Sequence, residues 1–319
     1  MDHVRQIARA VLYEGYLLWP YRESSLKNRH RWTIGGVHPE AYGRAHEGNA
    51  WRMRTECLLE AEPGDSVEVC ARFLHVLTRE TTLAAGARDC GEEAREREVS
   101  VTGLVVGDLL EAPVTTDIAL SAGCRYEPPD EQDATVVRRW HGLRGRVETS
   151  ARALRPGLFM ITVEVVNTTP WPGESPGTRA DALRRTLVSA HAVLHAPRGR
   201  FVSLMDPPEE LRAHAADCVN VGTWPVLAGP EGDRHTVLSA PIILYDHPRI
   251  APESPGDLFD ATEIDQLLTL SVLALSDQER QEIRGGDPRA REILDRCTAL
   301  TPEELMRMHG IMRKTGPRA

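Results

Sequence analysis

The sequence of 319 residues lacks most of the features that assign a protein to a broad class. Its six cysteines form no C-x-x-C pair, so neither a zinc knuckle nor a disulfide framework is expected. It has no run of about 18 apolar residues, so no membrane-spanning helix is expected. Residues Met1 to Arg9 lack the apolar stretch of a secretory signal, which predicts a cytoplasmic protein.

Lysine is nearly absent, since only Lys27 and Lys314 accompany the arginines among the 38 basic residues. The 47 acidic residues give a net charge of -9, which argues against a general nucleic-acid-binding protein because such proteins present a basic surface. Aromatic residues make up 5% of the chain, but they are concentrated near its start.

The segment from Val11 to Trp32 interleaves aromatic residues with basic ones. Aromatic side chains bury large areas, while tyrosine hydroxyls and tryptophan N–H groups need hydrogen-bond partners. Such a segment forms either a buried ring with arginine stems packed alongside or a surface that recognises a partner. On the second interpretation the partner-binding residues are Tyr13, Tyr16, Trp19, Tyr21, Arg22, Lys27, Arg29, Arg31 and Trp32.

Hydrophobic periodicity predicts an α+β fold with an antiparallel β-rich body and a helical C-terminal segment. The strongest predicted strand is Leu158 to Asn167, which pairs with Leu143 to Leu154. Helices are predicted at Asp2 to Leu12 and after Ser276. We expect three parts: residues 1–126 with the aromatic segment and a β-hairpin module, residues 134–250 with a central antiparallel sheet and one helix, and residues 251–319 with an acidic turn and C-terminal helices packed on the body.

Two cysteines lie in a predicted hairpin around the turn Glu62-Pro63-Gly64-Asp65. If Pro63 and Gly64 are its central residues, Cys57 faces Cys70, and the two thiols could bind a soft metal or oxidise. Pro-Gly suits the twist of a hairpin poorly, so two buried, inert thiols are the alternative.

A histidine pair gives the clearest metal-binding hypothesis. His191 and His195 fall in the predicted helix Ala180 to His195 at i and i+4, a spacing that lets one helix face bind a divalent metal. Ala192 stands where the H-E-x-x-H motif needs glutamate, so a metalloprotease is excluded. Alternatively, the pair contacts the last carbonyl groups of the helix. No other cofactor is predicted.

Polar groups also follow the strand-like stretch Ala240 to Tyr245. Asp246 and His247 come first, but no serine or cysteine nucleophile stands beside them in a recognisable motif. The acidic turn from Glu253 to Asp265 then carries five carboxylates, typical of a helix N-terminus or of a site for a cation or a basic segment. Asp257 and Asp260 are its candidate partner-binding residues.

Two parts of the chain resemble an uncharacterised protein family. They are Val11 to Arg22 with Lys27-Asn28-Arg29 and Trp32, and Ser239 to Tyr245 with Ala251 to Asp260. The family is associated with gene clusters of oxygen-tolerant, high-affinity NiFe hydrogenases. The resemblance implies a cytosolic accessory protein in hydrogenase maturation or assembly, with a hydrogenase subunit or another maturation factor as its protein partner, and it implies no catalytic residues.

Two functions therefore stand as hypotheses. The first is a non-enzymatic factor that binds its partner through the aromatic segment and the acidic turn. The second is a metal-binding protein or metal-dependent enzyme that uses His191, His195 and nearby carboxylates. On a third interpretation the two marked segments pack on each other, and the functional surface lies elsewhere.

Overall fold

The computed structural model describes residues 2–14, 34–82, 88–127, 135–172, 178–249, 269, 271–285 and 287–301. The chain divides into two units: the first comprises Met1–Leu12 and Trp32–Arg249, and the second Tyr13–Arg31 and Ile250–Ala319. Antiparallel sheets dominate, and the last two described elements are helices, which confirms the predicted α+β class with a β-rich body.

The first unit consists mainly of strands. Its helices are α1 (Asp2–Tyr13, whose last residue belongs to the second unit), α2 (Glu40–Ala45), α3 (Val106–Glu111), α4 (Arg179–Leu183) and α5 (Arg212–Ala216), the last preceded by a 3-10 turn at Glu209–Leu211. Its strands are β1 (Arg52–Glu60), β2 (Ser66–Thr82), β3 (Arg88–Val105), β4 (Val114–Leu120), β5 (Gly123–Glu127), β6 (Thr135–Trp140), β7 (Leu143–Arg155), β8 (Leu158–Asn167), β9 (Val188–His195), β10 (Arg200–Phe201), β11 (Trp224–Leu227) and β12 (Thr236–Ala240).

These strands form two sheets that share one hydrophobic core. The first sheet has the order β10-β1-β8-β7-β4. In the second, β2 pairs with β3 on one edge, and on the other edge with β9 and then β6. β12 and β11 extend the sheet beyond β9, and β5 extends it beyond β6.

Strand alternation explains the core. In β8, Ile161 and Val163 face the side chains of the second sheet, such as Phe73, while Met160 packs on the opposite face with Leu58. Each such apolar side chain contributes about 1.5–3 kcal/mol on burial. The predicted strand Leu158 to Asn167 and its hairpin with β7 are confirmed, and β8 is buried on both faces.

The hairpin predicted around Glu62 to Asp65 is wrong. β1 and β2 both exist, but they lie in different sheets, so the turn crosses from one sheet to the other. Cys57 is opposite Ile161, and Cys70 is opposite Ser100 and Val193. The two cysteines therefore do not face each other.

The helix predicted from Ala180 to His195 is also wrong, because only α4 is helical and β9 follows it. The apolar residues of this stretch fit a helix stripe and a buried strand equally well. Hydrogen bonds to β2 on one edge and to β12 on the other stabilise the strand. Tertiary pairing thus overrides the helical preference of the local sequence.

The second unit contains α6 (Asp277–Gly285) and α7 (Pro288–Ala299). Ser276 and Glu279 form the predicted capping box: the Ser276 hydroxyl accepts from Glu279 N at 3.3 Å, and Glu279 accepts from Ser276 N at 3.0 Å. The acidic turn from Glu253 to Asp265 lies outside the described residues. Across the described ranges, none of the helices combines the length and the apolar composition needed to cross a membrane.

A buried carboxylate holds the loop after α5 against β1. Glu56 is 5% exposed and accepts hydrogen bonds from Val219 N at 2.6 Å and from Arg54 Nε at 3.1 Å. The Asn220 side chain accepts from Glu56 N at 2.8 Å and donates to Glu56 O at 3.3 Å. Because a buried charge is tolerated only when it is paired and hydrogen-bonded, Glu56 fixes the position of this loop.

We predict that Glu56→Ala lowers the free energy of unfolding by about 2–4 kcal/mol, because it removes the acceptor of Val219 N–H and one carboxylate partner of Arg54. Urea denaturation measures the change. As a control, Glu111→Ala at an exposed position should cost less than about 0.5 kcal/mol. Equal midpoints for the two variants would contradict a structural role for Glu56.

Candidate functional site

The predicted partner-binding residues belong mostly to parts of the chain outside the described ranges. Tyr16, Trp19, Tyr21, Arg22, Lys27, Arg29, Arg31, Trp32, Asp257 and Asp260 lie outside the described residues. Tyr13 ends α1 and is 2% exposed.

His191 and His195 do not have the helical spacing that suggested a metal site. His191 and His195 lie on β9, where four residues of strand separate their Cα atoms by roughly 13 Å. His191 Nδ1 lies 3.0 Å from Ser189 O, and His195 Nδ1 lies 3.0 Å from Thr236 Oγ1. Among the described residues, no group of three or more His, Cys, Asp or Glu side chains could hold a metal ion.

Asp246 organises a turn. Its Oδ1 accepts from Leu227 N at 2.8 Å, and its Oδ2 accepts a hydrogen bond from the Ser203 hydroxyl. Ser203 Oγ in turn accepts from Met205 N at 3.1 Å. His247 adopts a positive φ of 54°, and its N–H donates to Leu227 O at 2.7 Å. Because Ser203 Oγ also accepts from Asp206 N at 3.0 Å, the serine and Asp246 together cap the turn and tie two loops together.

A cavity of about 360 Å³ is the strongest candidate site. Its described wall brings together four glycines, a histidine, two arginines and an exposed tryptophan. The lining residues are Gly35, Gly36, Val37, His38, Gly48, Asn49, Ala50, Arg52, Met53, Arg179, Ala190, Gly222, Trp224 and Pro241. The sequence analysis did not predict this group of residues. The one local pattern that pointed to it is the pair Gly35-Gly36 close to His38.

One wall of the cavity depends on a close backbone approach. Val37 exchanges hydrogen bonds of 2.9 and 3.0 Å with Leu187, just before β9. At Gly35, where φ is +58°, an added Cβ would lie 2.5 Å from Pro241 Cγ. Glycine is therefore required here. The chain just after the Val11–Trp32 segment thus meets the start of the Ser239–Tyr245 segment at this cavity.

His38 offers a lone pair to the cavity. Its Nδ1 lies 2.9 Å from Thr186 Oγ1, whose single hydrogen is donated to Ala182 O at 2.8 Å. Nδ1 must then carry the proton, which leaves Nε2 as an acceptor. Burial, helped by the nearby charge of Arg179, lowers the pKa of His38 to about 4. The imidazole is therefore neutral at pH 7.

The charged side chains of the described lining are both cationic. Arg52 and Arg179 contribute guanidinium groups to the part of the lining that the structure describes. The Arg52 side chain is 46% exposed, and its ion pair with Glu164 is long, at 3.9 Å. Trp224 is also 46% exposed. The described lining therefore combines basic side chains with an exposed aromatic face, as small-molecule sites often do.

A second cavity, of about 440 Å³, is bordered by α1 and strands β2, β3 and β9. Cys70 and His195 line it, but burial raises the pKa of Cys70, which keeps the sulfur a thiol. Acidic and basic side chains are balanced around it, with Arg5 and Arg72 against Glu68 and Glu98. The described part of its lining shows neither a reactive nucleophile nor an excess of one charge.

Two further histidines are fully buried. His75 and His191 are both 0% exposed, and burial is the main cause that lowers each pKa to about 4. Neither ring nitrogen of His75 makes a hydrogen bond of normal geometry, and the nearby backbone of His141 offsets only part of the effect of burial on its pKa. Protonation of these side chains is therefore opposed by the fold.

We predict that stability falls as the pH drops from about 6.5 to 4. In that window His38, His75 and His191 bind protons in the unfolded chain but not in the folded one. This difference lowers the free energy of unfolding by up to about 1.4 kcal/mol per pH unit for each residue. Above pH 6.5 these residues add no pH dependence. His75→Leu should flatten the slope of unfolding free energy against pH, as measured by urea titration. An unchanged slope would contradict the assignment of His75.

No protein-family model, curated protein or solved structure matches this chain. The interpretation of the cavity therefore rests on its own residues and distances. The relation to hydrogenase-associated proteins stays a prediction.

Proposed function

We propose that this protein is a non-enzymatic accessory factor that acts by binding, in the maturation or assembly of a NiFe hydrogenase. The observation that carries the binding role is the cavity lined by Arg52, Arg179, neutral His38 and half-exposed Trp224. The hydrogenase association comes from the resemblance of the two marked segments. The cavity lies where Gly35, three residues after the first segment, contacts Pro241 of the second segment.

The chemistry of the cavity favours binding over catalysis. Near its lining residues Trp224 and Met53, three buried hydroxyls form a chain: Ser239 Oγ lies 2.7 Å from both Thr55 Oγ1 and Thr223 Oγ1. Each hydroxyl is thus engaged with another hydroxyl rather than with a base. A nucleophile needs a base within hydrogen-bond reach, and none of these three hydroxyls bonds to one among the described residues.

A protein partner is favoured by apolar side chains on the same part of the chain. After Pro241, Ile243 is 73% exposed and Tyr245 is 80% exposed, and Met205, near Asp246, is 47% exposed. Large exposed apolar residues, tyrosine above all, are typical of recognition surfaces. A hydrogenase subunit or a maturation factor is the partner class we propose.

We predict that deletion of the gene from a host with the hydrogenase lowers its hydrogen uptake, and that the wild-type gene restores it. The variant Ile243→Ser/Tyr245→Ser should fail to restore uptake because it removes the proposed contact surface. Its melting temperature should not change, since both side chains are exposed. Gas chromatography of hydrogen consumption measures the effect.

Val114→Ser is the matched control, because Val114 is also apolar and exposed and lies on β4. It should restore uptake fully. Normal hydrogen uptake in the deletion strain would overturn the proposed function.

A further inference from the structure

We propose that the cavity bordered by α1 and by strands β2, β3 and β9 binds a free amino acid with an apolar side chain. The ammonium group of the ligand is held by Glu68, its carboxylate by Arg5, and its side chain by apolar residues of α1 and of the sheet. The described lining of this cavity shares no residue with that of the cavity around His38. Amino-acid binding therefore goes beyond the proposed accessory role and does not depend on it.

A β-bulge changes the sheet at this cavity. The register of β2 against β3 shifts between Val67 and Val69, where β3 has one residue more than β2. Gly103, one of the residues in the bulge, has a φ of +71°, which glycine adopts without strain. Glu68 therefore has no directly paired residue among those described for β3, while on its other side it is opposite His195. Bulges redirect side chains, and here Glu68 lines the cavity.

Two charged side chains of the lining are left without a partner. Glu68 is half-buried and Arg5 is exposed, and across the described ranges neither side chain forms an ion pair or a hydrogen bond. The other pair of charges in the lining is already engaged, since Arg72 Nε lies 3.6 Å from a carboxylate oxygen of Glu98. Arg72 also bonds to Glu96 at 3.2 Å. Of the described carboxylates and guanidinium groups at the cavity, Glu68 and Arg5 are thus the two available to a ligand.

One free charge of each sign favours a ligand that also carries both. The Glu68 carboxylate accepts hydrogen bonds from an ammonium group, and the Arg5 guanidinium donates paired hydrogen bonds to a carboxylate. A ligand with a single charge is attracted by one of these side chains and repelled by the other. A free amino acid carries an ammonium and a carboxylate group on the same carbon atom. Because Arg5 is exposed, its long side chain can turn toward the ligand.

The apolar side chain and the size of the ligand follow from the rest of the lining. Val4 and Ala8 lie at i and i+4 on α1, and they are 4% and 1% exposed. With Val193 and the neutral thiol of Cys70 they form an apolar wall. A volume of about 440 Å³ holds on the order of fifteen water molecules at ~30 Å³ each, which is enough for an amino acid as large as leucine.

Isothermal titration calorimetry of the full chain tests the proposal with probes that each lack one feature of L-leucine. Isoamylamine lacks the carboxylate, isocaproate lacks the ammonium group, and glycine lacks the apolar side chain. We expect L-leucine to bind at millimolar concentration or below. Each of the other three probes should bind at least tenfold more weakly, because each loses one of the three contacts.

Two variants assign the charged contacts. Glu68→Gln should bind L-leucine at least tenfold more weakly and should no longer prefer it to isocaproate. Arg5→Gln should weaken L-leucine by a similar factor and should no longer prefer it to isoamylamine. The matched controls Glu111→Gln and Arg155→Gln, which change exposed residues of α3 and β7, should bind as the wild type does. Circular dichroism confirms that each variant is folded.

Three results would overturn the proposal. The first is that L-leucine does not bind at millimolar concentration. The second is that a probe lacking one feature binds as tightly as L-leucine, which would show that the contact to this feature does not exist. The third is that neither variant weakens L-leucine, which would place the bound amino acid elsewhere on the protein. The accessory role is decided separately, by the hydrogen uptake of the deletion strain.

Discussion

The pairing of β2 on both edges is the constraint on which the larger sheet depends. This strand of 17 residues bonds along one edge to β3, and along the other first to β9 and then to β6. β9 in turn supports β12 and β11, which bring Trp224 and Pro241 to the cavity. Inward residues of β2 such as Phe73 bind this sheet to the other through the shared core.

The interior buries both imidazoles that stay neutral and a carboxylate that is hydrogen-bonded. His191 sits opposite Arg72 on the neighbouring strand, and Glu56 is held by main-chain and guanidinium donors. Burial opposes charge on the imidazoles, whereas the carboxylate has enough donors to stay bonded. The same effect operates in the cavity. Burial and the charge of Arg179 keep His38 neutral, so its imidazole can accept a hydrogen bond and does not repel the neighbouring guanidinium groups.

Local sequence patterns predicted those elements whose signals are themselves local. β8 has β-branched residues and a clear turn before it, and the helix after Ser276 has its capping box. The predicted hairpin at Glu62 to Asp65 failed because nothing local shows that β1 and β2 belong to different sheets. The cavity was missed for a related reason. His38, Arg179 and Trp224 are far apart in the chain, and only the pairing of distant strands brings them to one wall.

The crossing turn between β1 and β2 has a consequence for synthesis of the chain. β2 finds β3 immediately after it, but the main partner of β1 is β8, where Arg52 pairs with Val166. At typical translation rates of about 5–20 residues per second, β1 waits roughly 5–20 seconds for that partner to leave the ribosome. During this time a strand with open hydrogen-bonding edges and the apolar residues Cys57, Leu58 and Leu59 is exposed to other nascent chains. The nascent protein is therefore an expected client of ribosome-associated chaperones, and slower translation before β8 would lower its yield.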